Sequence, residues 1–427
     1  MDIDMTDTNL DIAVVGGGVA GITAAYLLQQ RHRVSLYERN DYVGGHTHTV
    51  VIPDGPDAGT PVDTGFIVLN DRTYPLLNRL LSRLEVAIRP SDMSFSYHNA
   101  VSGFQYASRN LNTLFAQRRN LASPMHLYML TEILRFNHAA RRSLQRQHLE
   151  GLTLGDFLRQ MRMSRAFRNR YILPMAAAIW SSPDEDVMDF PMATFARFFE
   201  NHGLLSVTNM PQWYYVRGGS HTYVQAFRRT FGGRIFTQTP VRGLKRDDAG
   251  VDLRLADGAT RRHDMAVVAL HADEAYHLLE DPTPDEKRLL GPWRYSRNRV
   301  ILHTNREWMP PLRRAWASWN YYRASGDNRR APITLTYHMN RLQNLRTRRS
   351  YFVTLNPPRP IAARDTVAAF TYHHPMYTFA SLETQAELHR LNGRRRTFYC
   401  GSYHGYGFHE DAVRAAVQAV APLGGDL

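Results

Sequence analysis

An apolar strand that runs directly into a glycine-rich turn is the feature that most constrains this 427-residue chain. Residues 11–15 read Asp-Ile-Ala-Val-Val, and Gly16, Gly18 and Gly21 follow at the positions of a G-x-G-x-x-G motif. Gly16 permits a tight turn, Gly18 lets the backbone approach a pyrophosphate, and Gly21 lets the next helix pack closely on the strand. The first amides of that helix and its dipole favour an anion. The stretch therefore predicts a clamp for a dinucleotide.

The residues after the motif strengthen this prediction. A helical stretch leads to the cationic residues 31–33, and a second strand, residues 34–37, then ends in Glu38. An acid at this place can accept hydrogen bonds from ribose hydroxyls. Glycine triplets also serve as plain strand-to-helix turns, but here strand, turn, helix, second strand and acid follow in the expected order. From these residues alone, NAD and FAD fit the motif equally well.

The composition is that of a folded protein, with 43% hydrophobic and 21% charged residues. Its single cysteine, Cys400, excludes an internal disulfide and is expected to be a buried strand thiol. The sequence contains neither a secretory leader nor an apolar run of about 18 residues. We therefore expect a cytoplasmic protein, with residues 1–9 as a frayed leader.

The formal net charge of +13 indicates either a solvated arginine-rich surface or an anionic partner. The sequence has no zinc-ligand spacing, no RNP-like aromatic motif and no basic helix beside a recognisable turn, which argues against nucleic acid. An anionic lipid surface or an acidic substrate stays open.

Seven stretches spread over the chain carry a family resemblance. They are residues 44–49 (Gly-Gly-His-Thr-His-Thr), 62–68 (Val-Asp-Thr-Gly-Phe-Ile-Val), 90–96 (Pro-Ser-Asp-Met-Ser-Phe-Ser), 178–181 (Ala-Ile-Trp-Ser), 201–205 (Asn-His-Gly-Leu-Leu), 315–321 (Ala-Trp-Ala-Ser-Trp-Asn-Tyr) and 406–411 (Tyr-Gly-Phe-His-Glu-Asp). With the glycine turn and Glu38, they resemble the superfamily of FAD-dependent amine oxidases and phytoene desaturases. The closest resemblance is to its bacterial branch of NAD/FAD-binding oxidoreductases associated with cyclopropane-fatty-acid biosynthesis.

The resemblance implies an α/β fold with two parts. One is a glutathione-reductase-like, Rossmann-type FAD-binding domain, and the other is an interrupted α+β substrate domain of the amine-oxidase type. We assign residues 1–75, 214–290 and 392–427 to the discontinuous FAD-binding domain. Residues 76–213 and 291–391 are assigned to the substrate-binding domain.

The resemblance also implies which residues contact FAD. Carried over position by position, they are Gly16, Gly18, Val19, Ala20, Gly21, Glu38, Arg39, Gly44, Gly45, His46, Thr64, Gly65, Phe66, Val241, Gly401, Phe408, His409, Glu410 and Asp411. The sequence departs from the superfamily around the glycine pair, where Tyr42 and His46 stand in place of basic residues. His46 and His48 have no acidic or thiol companions nearby, so no metal site is predicted.

Two residue choices argue against an amine substrate. Amine oxidases of the superfamily usually carry a lysine near the flavin N5, whereas the corresponding residues 295–299 contain none. Phe408 occupies the place of a common aromatic-cage tyrosine. The aromatic middle of the chain predicts an apolar substrate pocket, although the same residues could simply form a core. The pocket residues we predict are Trp180, Trp319, Tyr337 and Phe408.

The predicted function is therefore that of an enzyme, an FAD-dependent oxidoreductase that dehydrogenates or desaturates a lipid or fatty-acyl substrate by hydride transfer to flavin N5. No catalytic residue is assigned. Two alternatives stay open: a flavin amine or amino-acid oxidase, and a flavin-bound accessory protein of a lipid-modifying enzyme.

Residues 124–142 have an apolar face at helical spacing and a cationic end. Such a helix either packs against a core or lies on a membrane surface, which would make the protein peripheral to the inner face of the membrane. Further along, Thr153 is expected to cap the helix that follows it.

Overall fold

The computed structural model describes residues 9–206, 208, 210–324 and 332–427. A five-stranded sheet whose neighbouring strands are all parallel lies behind the glycine-rich turn. Its strands read as short apolar runs because both faces are covered, and Ile12, Val14 and Val267 are fully buried. In spatial order the strands are Arg234–Phe236, Arg33–Tyr37, Asp11–Val15, Met265–Val268 and Thr397–Tyr399.

A second, seven-stranded sheet is antiparallel except for one parallel pair. Its strands, in spatial order, are Thr366–Met376, Arg294–His303, Phe352–Leu355, Thr334–His338, Trp319–Arg323, Phe95–Asn99 and Gln105–Ala107. The register places Trp319 opposite Tyr337. Three small sheets complete the strands: Val241–Arg246 with Val251–Leu255 and Thr260–His263; Val68–Asn70 with Trp213–Val216 and Ile88–Pro90; and Thr49–Val51 with Pro61–Asp63.

The helices flank these sheets. Val19–Leu28 and His409–Val420 pack on each other beside the parallel sheet. A mainly helical layer follows, in which the rings of Phe136 and Phe167 lie 5.4 Å apart at the centre of an aromatic core. The remaining helices are Pro75–Arg83, Leu111–Leu114, Pro124–Gln145, Leu154–Gln160, Arg165–Phe167, Leu173–Trp180, Asp184–Met188, Met192–Asn201, His221–Thr230, Ala272–Leu278, Pro284–Leu290, Met339–Leu342 and Phe379–Gln385.

The predicted α/β architecture is confirmed, with small changes at the ends of elements. The Thr153 side chain accepts a hydrogen bond from the Asp156 amide and caps the helix that begins at Leu154, as predicted. The apolar run of residues 265–271 predicts a buried strand, but the strand that begins at Met265 ends at Val268. Residues 1–8 of the expected leader lie outside the described residues. The domain boundaries given above stay a prediction.

Candidate functional site

A cavity of about 1190 Å³ is lined by residues of both large sheets. Gly16, Glu38, Ala269 and Gly401 line it, and each follows the carboxyl end of a strand of the parallel sheet. Open α/β sheets bind ligands at this edge. Because the volume exceeds the roughly 300–1,000 Å³ typical of small-molecule pockets, the cavity has room for a dinucleotide and a substrate.

The glycine turn forms one wall of this cavity. Gly16 has a φ of +104°, and a Cβ there would lie 2.5 Å from the Ala269 carbonyl oxygen. A Cβ on Gly18 would meet no atom within 4 Å, so its backbone faces open space. The helix that begins at Val19 has no side-chain cap. Its first amides are therefore available to an anion.

Every predicted cofactor residue lines the cavity except Gly21, Glu410 and Asp411. A Cβ on Gly21 would lie 1.9 Å from the Gly16 carbonyl oxygen, so this glycine serves the close packing of helix on strand. The predicted pocket residues also line the cavity; they are Trp180, Trp319, Tyr337 and Phe408.

Glu410 and Asp411 have structural partners instead of facing the cavity. The Glu410 carboxylate accepts hydrogen bonds from the amides of Leu76 and Leu77, at 3.1 and 2.9 Å, and so caps a different helix. Asp411 accepts hydrogen bonds from the Tyr406 and Phe408 amides at 2.9 and 3.1 Å and holds the turn before its own helix. Their predicted contact with the cofactor stays a prediction, and their carboxylates are engaged by backbone donors.

Glu38 lies where the motif predicts it. It is buried, and its two carboxylate oxygens each accept one backbone hydrogen bond, from the amides of Gly17 and Asn40, both at 2.8 Å. A carboxylate oxygen has a second lone pair, so this geometry leaves acceptor capacity for ribose. The neighbouring Arg39 pairs with Glu274 at 2.7 Å, and both line the cavity.

The glycine pair lies against the turn. The Gly44 amide donates to the Gly17 carbonyl oxygen at 2.8 Å, and a Cβ on Gly45 would lie 3.1 Å from the Gly18 Cα. Gly65 is equally constrained, because its Cβ would lie 2.1 Å from the His46 carbonyl oxygen. Only glycine therefore fits at Gly44, Gly45 and Gly65, which we call the glycine cradle.

Four histidines that the sequence disperses line the cavity together: His46, His271, His373 and His374. The ring of His46 lies 5.7 Å from that of His374 and 6.1 Å from that of His271. Burial, and then the repulsion of the neighbouring histidines, lowers the pKa of His374 to about 4 and that of His46 well below its usual value. The rings of His46 and His374 are therefore neutral at pH 7. Among the described residues, no group of three or more His, Cys, Asp and Glu side chains is arranged to hold a metal.

The Nε2 atom of His46 is buried and has no hydrogen-bond partner among the described residues. Since His46 follows Gly45 beside the glycine turn, we expect a bound pyrophosphate to raise its pKa. FAD affinity should then increase several-fold as the pH falls from about 8 to about 6, because the bound form takes up a proton. Quenching of FAD fluorescence would measure this, and His46→Gln should remove the dependence. A wild type with the same pH profile as His46→Gln would contradict it.

The part of the cavity lined by Trp180, Phe198 and Phe408 is apolar and aromatic. The rings of Trp180 and Phe198 lie 4.9 Å apart, and Phe198 stacks on Phe408 at 5.2 Å. The indole N–H groups of Trp180 and Trp319 have no partner among the described residues. We name this part the aromatic arm; the other residues that we include in it are Met175, Ile179, His202 and Leu204.

Sequence reasoning missed several of these residues. Phe198 and His202 lie four positions apart at the end of the helix Met192–Asn201, so helical spacing could have placed them on one face. Nothing in the sequence shows whether such a helix face lines a cavity or packs against the core.

Each carboxylate that lines the cavity has a hydrogen-bond or ion-pair partner. Asp92 accepts a hydrogen bond from Ser94 and pairs with Arg109 and Arg341, at 3.1 and 3.3 Å. The other two lining carboxylates are Glu38 and Glu274, whose partners are given above. The chain has only two lysines, Lys245 and Lys287, and both are exposed outside the cavity lining.

The open Gly18 backbone, the uncapped helix, the buried acid and the glycine cradle fit the pyrophosphate and ribose of FAD. Fold and site thus define a flavin-dependent oxidoreductase. The chain belongs to the family of flavin containing amine oxidoreductases, whose model matches residues 19–341. FAD is therefore its cofactor.

Known proteins support this membership. The chain is 25% identical, over 356 residues, to a Mycobacterium tuberculosis protein inferred to be a flavin-containing monoamine oxidase, covering 77% of this chain and 70% of that protein. It is 27% identical to the carotenoid phi-ring synthase of Streptomyces griseus over 291 residues, 63% of this chain and 53% of that one. The fatty acid isomerase of P. acnes that produces CLA has a similar fold, with a TM-score of 0.68, 15% identity, and 97% and 99% of the two chains covered.

Proposed function

We propose that this enzyme dehydrogenates an apolar substrate of the lipid or fatty-acyl class, leaving a carbon–carbon double bond. FAD held by the glycine turn and Glu38 would supply the redox chemistry by taking up a hydride from the substrate, and the second hydrogen would leave as a proton to solvent. The observation that carries the proposal is the aromatic arm, which offers an elongated apolar chain a lining of aromatic and aliphatic side chains.

In this proposal, the residues of the aromatic arm bind and orient the substrate. Trp180, Phe198 and Phe408 pack around the apolar chain and exclude water from it. The unpaired N–H groups of Trp180 and Trp319 donate to an oxygen of the substrate, because a buried donor without a partner costs about 1–3 kcal/mol. The substrate class is thus an apolar chain with at least one polar acceptor.

An amine substrate is the second candidate, and the similarity to the inferred monoamine oxidase favours it. Against it, Asp92 and Glu274 are already paired with arginines, and Glu38, the third carboxylate that lines the cavity, lies beside the glycine turn where the motif predicts the ribose. The lysine usual near the flavin N5 is also absent from residues 295–299.

Anaerobic reduction of the bound flavin distinguishes the candidates. We expect its visible absorbance to bleach with fatty acids or phospholipids and not with a panel of amines. Bleaching by amines alone would overturn the proposal in favour of an amine oxidase. A flavin that neither panel reduces would overturn it in favour of the accessory role.

A matched pair of variants tests the hydrogen-bonding role of the arm. Trp180→Phe keeps an aromatic ring and removes the N–H, so it should slow flavin reduction by the substrate about tenfold. Trp308→Phe is the control, since Trp308 is also buried with an unpaired N–H but lies outside the cavity lining. Equal effects of the two changes would show that the Trp180 N–H does not contact the substrate.

A further inference from the structure

Exposed apolar side chains concentrate in one short part of the chain. Ten large hydrophobic side chains are exposed among the described residues, and six of them lie between residues 111 and 134. Single exposed apolar residues are ordinary, whereas a contiguous group marks an interaction site. The six are Leu111, Leu121, Met125, Leu127, Tyr128 and Leu134, with exposures from 42% to 74%.

The helix Pro124–Gln145 carries four of these residues, and three of them, Leu127, Tyr128 and Leu134, share its solvent side. Its buried residues, such as Met129, Phe136 and Ala140, face the core. Its exposed residues from Met125 to Leu134 are apolar except for Thr131, and those beyond it are mainly basic. The helix is therefore amphipathic, but its solvent side is not uniformly polar, unlike that of an ordinary surface helix.

The same region is strongly basic. Residues 100–149 contain seven arginines, and their only acid is Glu132, which is buried. Four of the arginines are exposed and have no carboxylate partner among the described residues: Arg118, Arg119, Arg142 and Arg146. These fifty residues thus have a formal charge of +6 without their histidines. The combination of exposed apolar side chains and unpaired arginines suits an anionic lipid surface.

We call the six exposed apolar residues the patch; it begins two residues from one exposed part of the cavity lining, Arg109 and Met210, which we call the mouth. Leu111 follows Arg109 by two residues, so the chain leads directly from the mouth to the patch. No helix among the described residues is long and apolar enough to cross a membrane. Contact with a bilayer through these described residues would be peripheral.

We propose that the face formed by the six apolar residues with Arg119 and Arg142 docks on an anionic bilayer, with the cavity mouth beside the contact. The apolar side chains enter the boundary of the acyl chains, and the arginines contact the headgroup phosphates. A nucleic acid fits less well, because its phosphates would leave Leu121, Met125 and Tyr128 exposed. This proposal does not depend on which substrate the flavin oxidises.

Flotation with vesicles tests the docking directly. The FAD-loaded protein should float with phosphatidylglycerol vesicles and much less with phosphatidylcholine vesicles. Met125→Ser with Tyr128→Ser should weaken binding about tenfold; the matched control is Val51→Ser with Phe379→Ser, two apolar residues exposed elsewhere. Absence of flotation, or equal losses in the two double variants, would overturn the proposal.

A second matched pair of double variants tests the contribution of the arginines. Arg119→Gln with Arg142→Gln should weaken binding to phosphatidylglycerol vesicles about tenfold, since a cation near an anionic surface contributes about 1 kcal/mol. Arg228→Gln with Arg229→Gln removes two exposed arginines from the end of another helix and should have little effect. Equal losses would show non-specific attraction by the net charge. Stronger binding to duplex DNA than to these vesicles would indicate a nucleic-acid surface instead.

The buried single cysteine permits a local probe. Cys400 is fully buried, so Tyr128→Cys provides the only exposed thiol for an environment-sensitive fluorophore. Its emission should shift to shorter wavelength when phosphatidylglycerol vesicles are added, whereas a fluorophore on Val51→Cys should not respond. An unshifted probe at position 128 would overturn the proposed orientation even if the protein bound the vesicles.

Discussion

Replacing Gly18 by leucine is expected to give a folded protein that cannot retain FAD. The backbone of Gly18 has a φ of −72°, which any residue adopts, and a Cβ there meets no atom within 4 Å. The side chain would therefore be accommodated in the empty protein without strain. It would occupy the space in which the pyrophosphate approaches the uncapped helix. We expect FAD affinity to fall at least about a hundredfold, or about 2.8 kcal/mol.

The measurement is the ratio of flavin to protein absorbance after purification, with circular dichroism to show the fold. Gly232→Leu is the matched control, because Gly232 is exposed and its Cβ would come no closer than 3.9 Å to another atom. That variant should stay yellow. A Gly18→Leu protein that binds FAD as the wild type does would mean that the turn does not contact the cofactor.

Comparing Gly21→Ala with Gly18→Leu distinguishes two roles of glycine in the motif. Gly21 allows the helix to pack closely on the strand, and Gly18 leaves space for the cofactor. A Cβ on Gly21 would lie 1.9 Å from the Gly16 carbonyl oxygen, so in Gly21→Ala the helix must move away from the strand. This change should lower both stability and FAD content, whereas Gly18→Leu should lower only FAD content. The contrast follows from what each Cβ would contact.

The sequence predicts the parts of this site that are local in the chain. Gly16, Gly18 and Glu38 stand within a single strand–helix–strand unit, so a motif and a spacing suffice to place them. Apolar runs predict the strands of the parallel sheet, and alternation of apolar and polar residues predicts strands of the second sheet. The family resemblance indicates how these strands assemble into two domains. The sequence does not give the ends of strands as well: the strand Arg294–His303 begins several residues before its apolar run, because the half-exposed residues 294–297 carry no apolar period.

Contacts between distant segments could not be read from the sequence. His46 meets His271 and His374 only because the cavity lies where three segments converge. The Glu410 carboxylate accepts hydrogen bonds from amides more than three hundred residues earlier, a contact that no local pattern in the sequence indicates. A local pattern shows which polar group needs a hydrogen-bond partner, but the packing of distant segments determines which residue is that partner.

The second large effect is expected away from the cavity, at a buried ion pair. Both side chains are almost fully buried: Arg246 donates to the two oxygens of Glu286 at 2.5 and 3.0 Å, and Tyr399 donates to Glu286 at 2.5 Å. Asp281 lies on the other side of the guanidinium, at 3.1 Å. The network joins the hairpin that begins at Val241 to the helix Pro284–Leu290 and to the last strand of the parallel sheet.

Glu286→Gln should destabilise the protein by about 3 kcal/mol, because it leaves a buried guanidinium short of negative charge. The midpoint of urea unfolding, followed by circular dichroism, would measure the loss. Glu307→Gln is the matched control: Glu307 pairs with Arg359 at 3.4 Å, but both side chains are about two-thirds exposed, so the change should cost less than about 1 kcal/mol. Equal losses would contradict a structural role for the buried pair.

The pH dependence gives an independent test of the same pair. Burial alone would raise the pKa of Glu286, but the hydrogen bonds from Arg246, from the Thr283 amide and from Tyr399 outweigh it and lower that pKa below the usual 4.5. A carboxyl group whose pKa is lower in the folded state stabilises the protein above its unfolded pKa, and this stabilisation is lost as the pH falls through the folded pKa. The stability difference between wild type and Glu286→Gln should therefore be largest near neutral pH and should shrink in acid. A difference that stays constant down to about pH 3 would mean that the glutamine disturbs packing and that the charge of Glu286 contributes little.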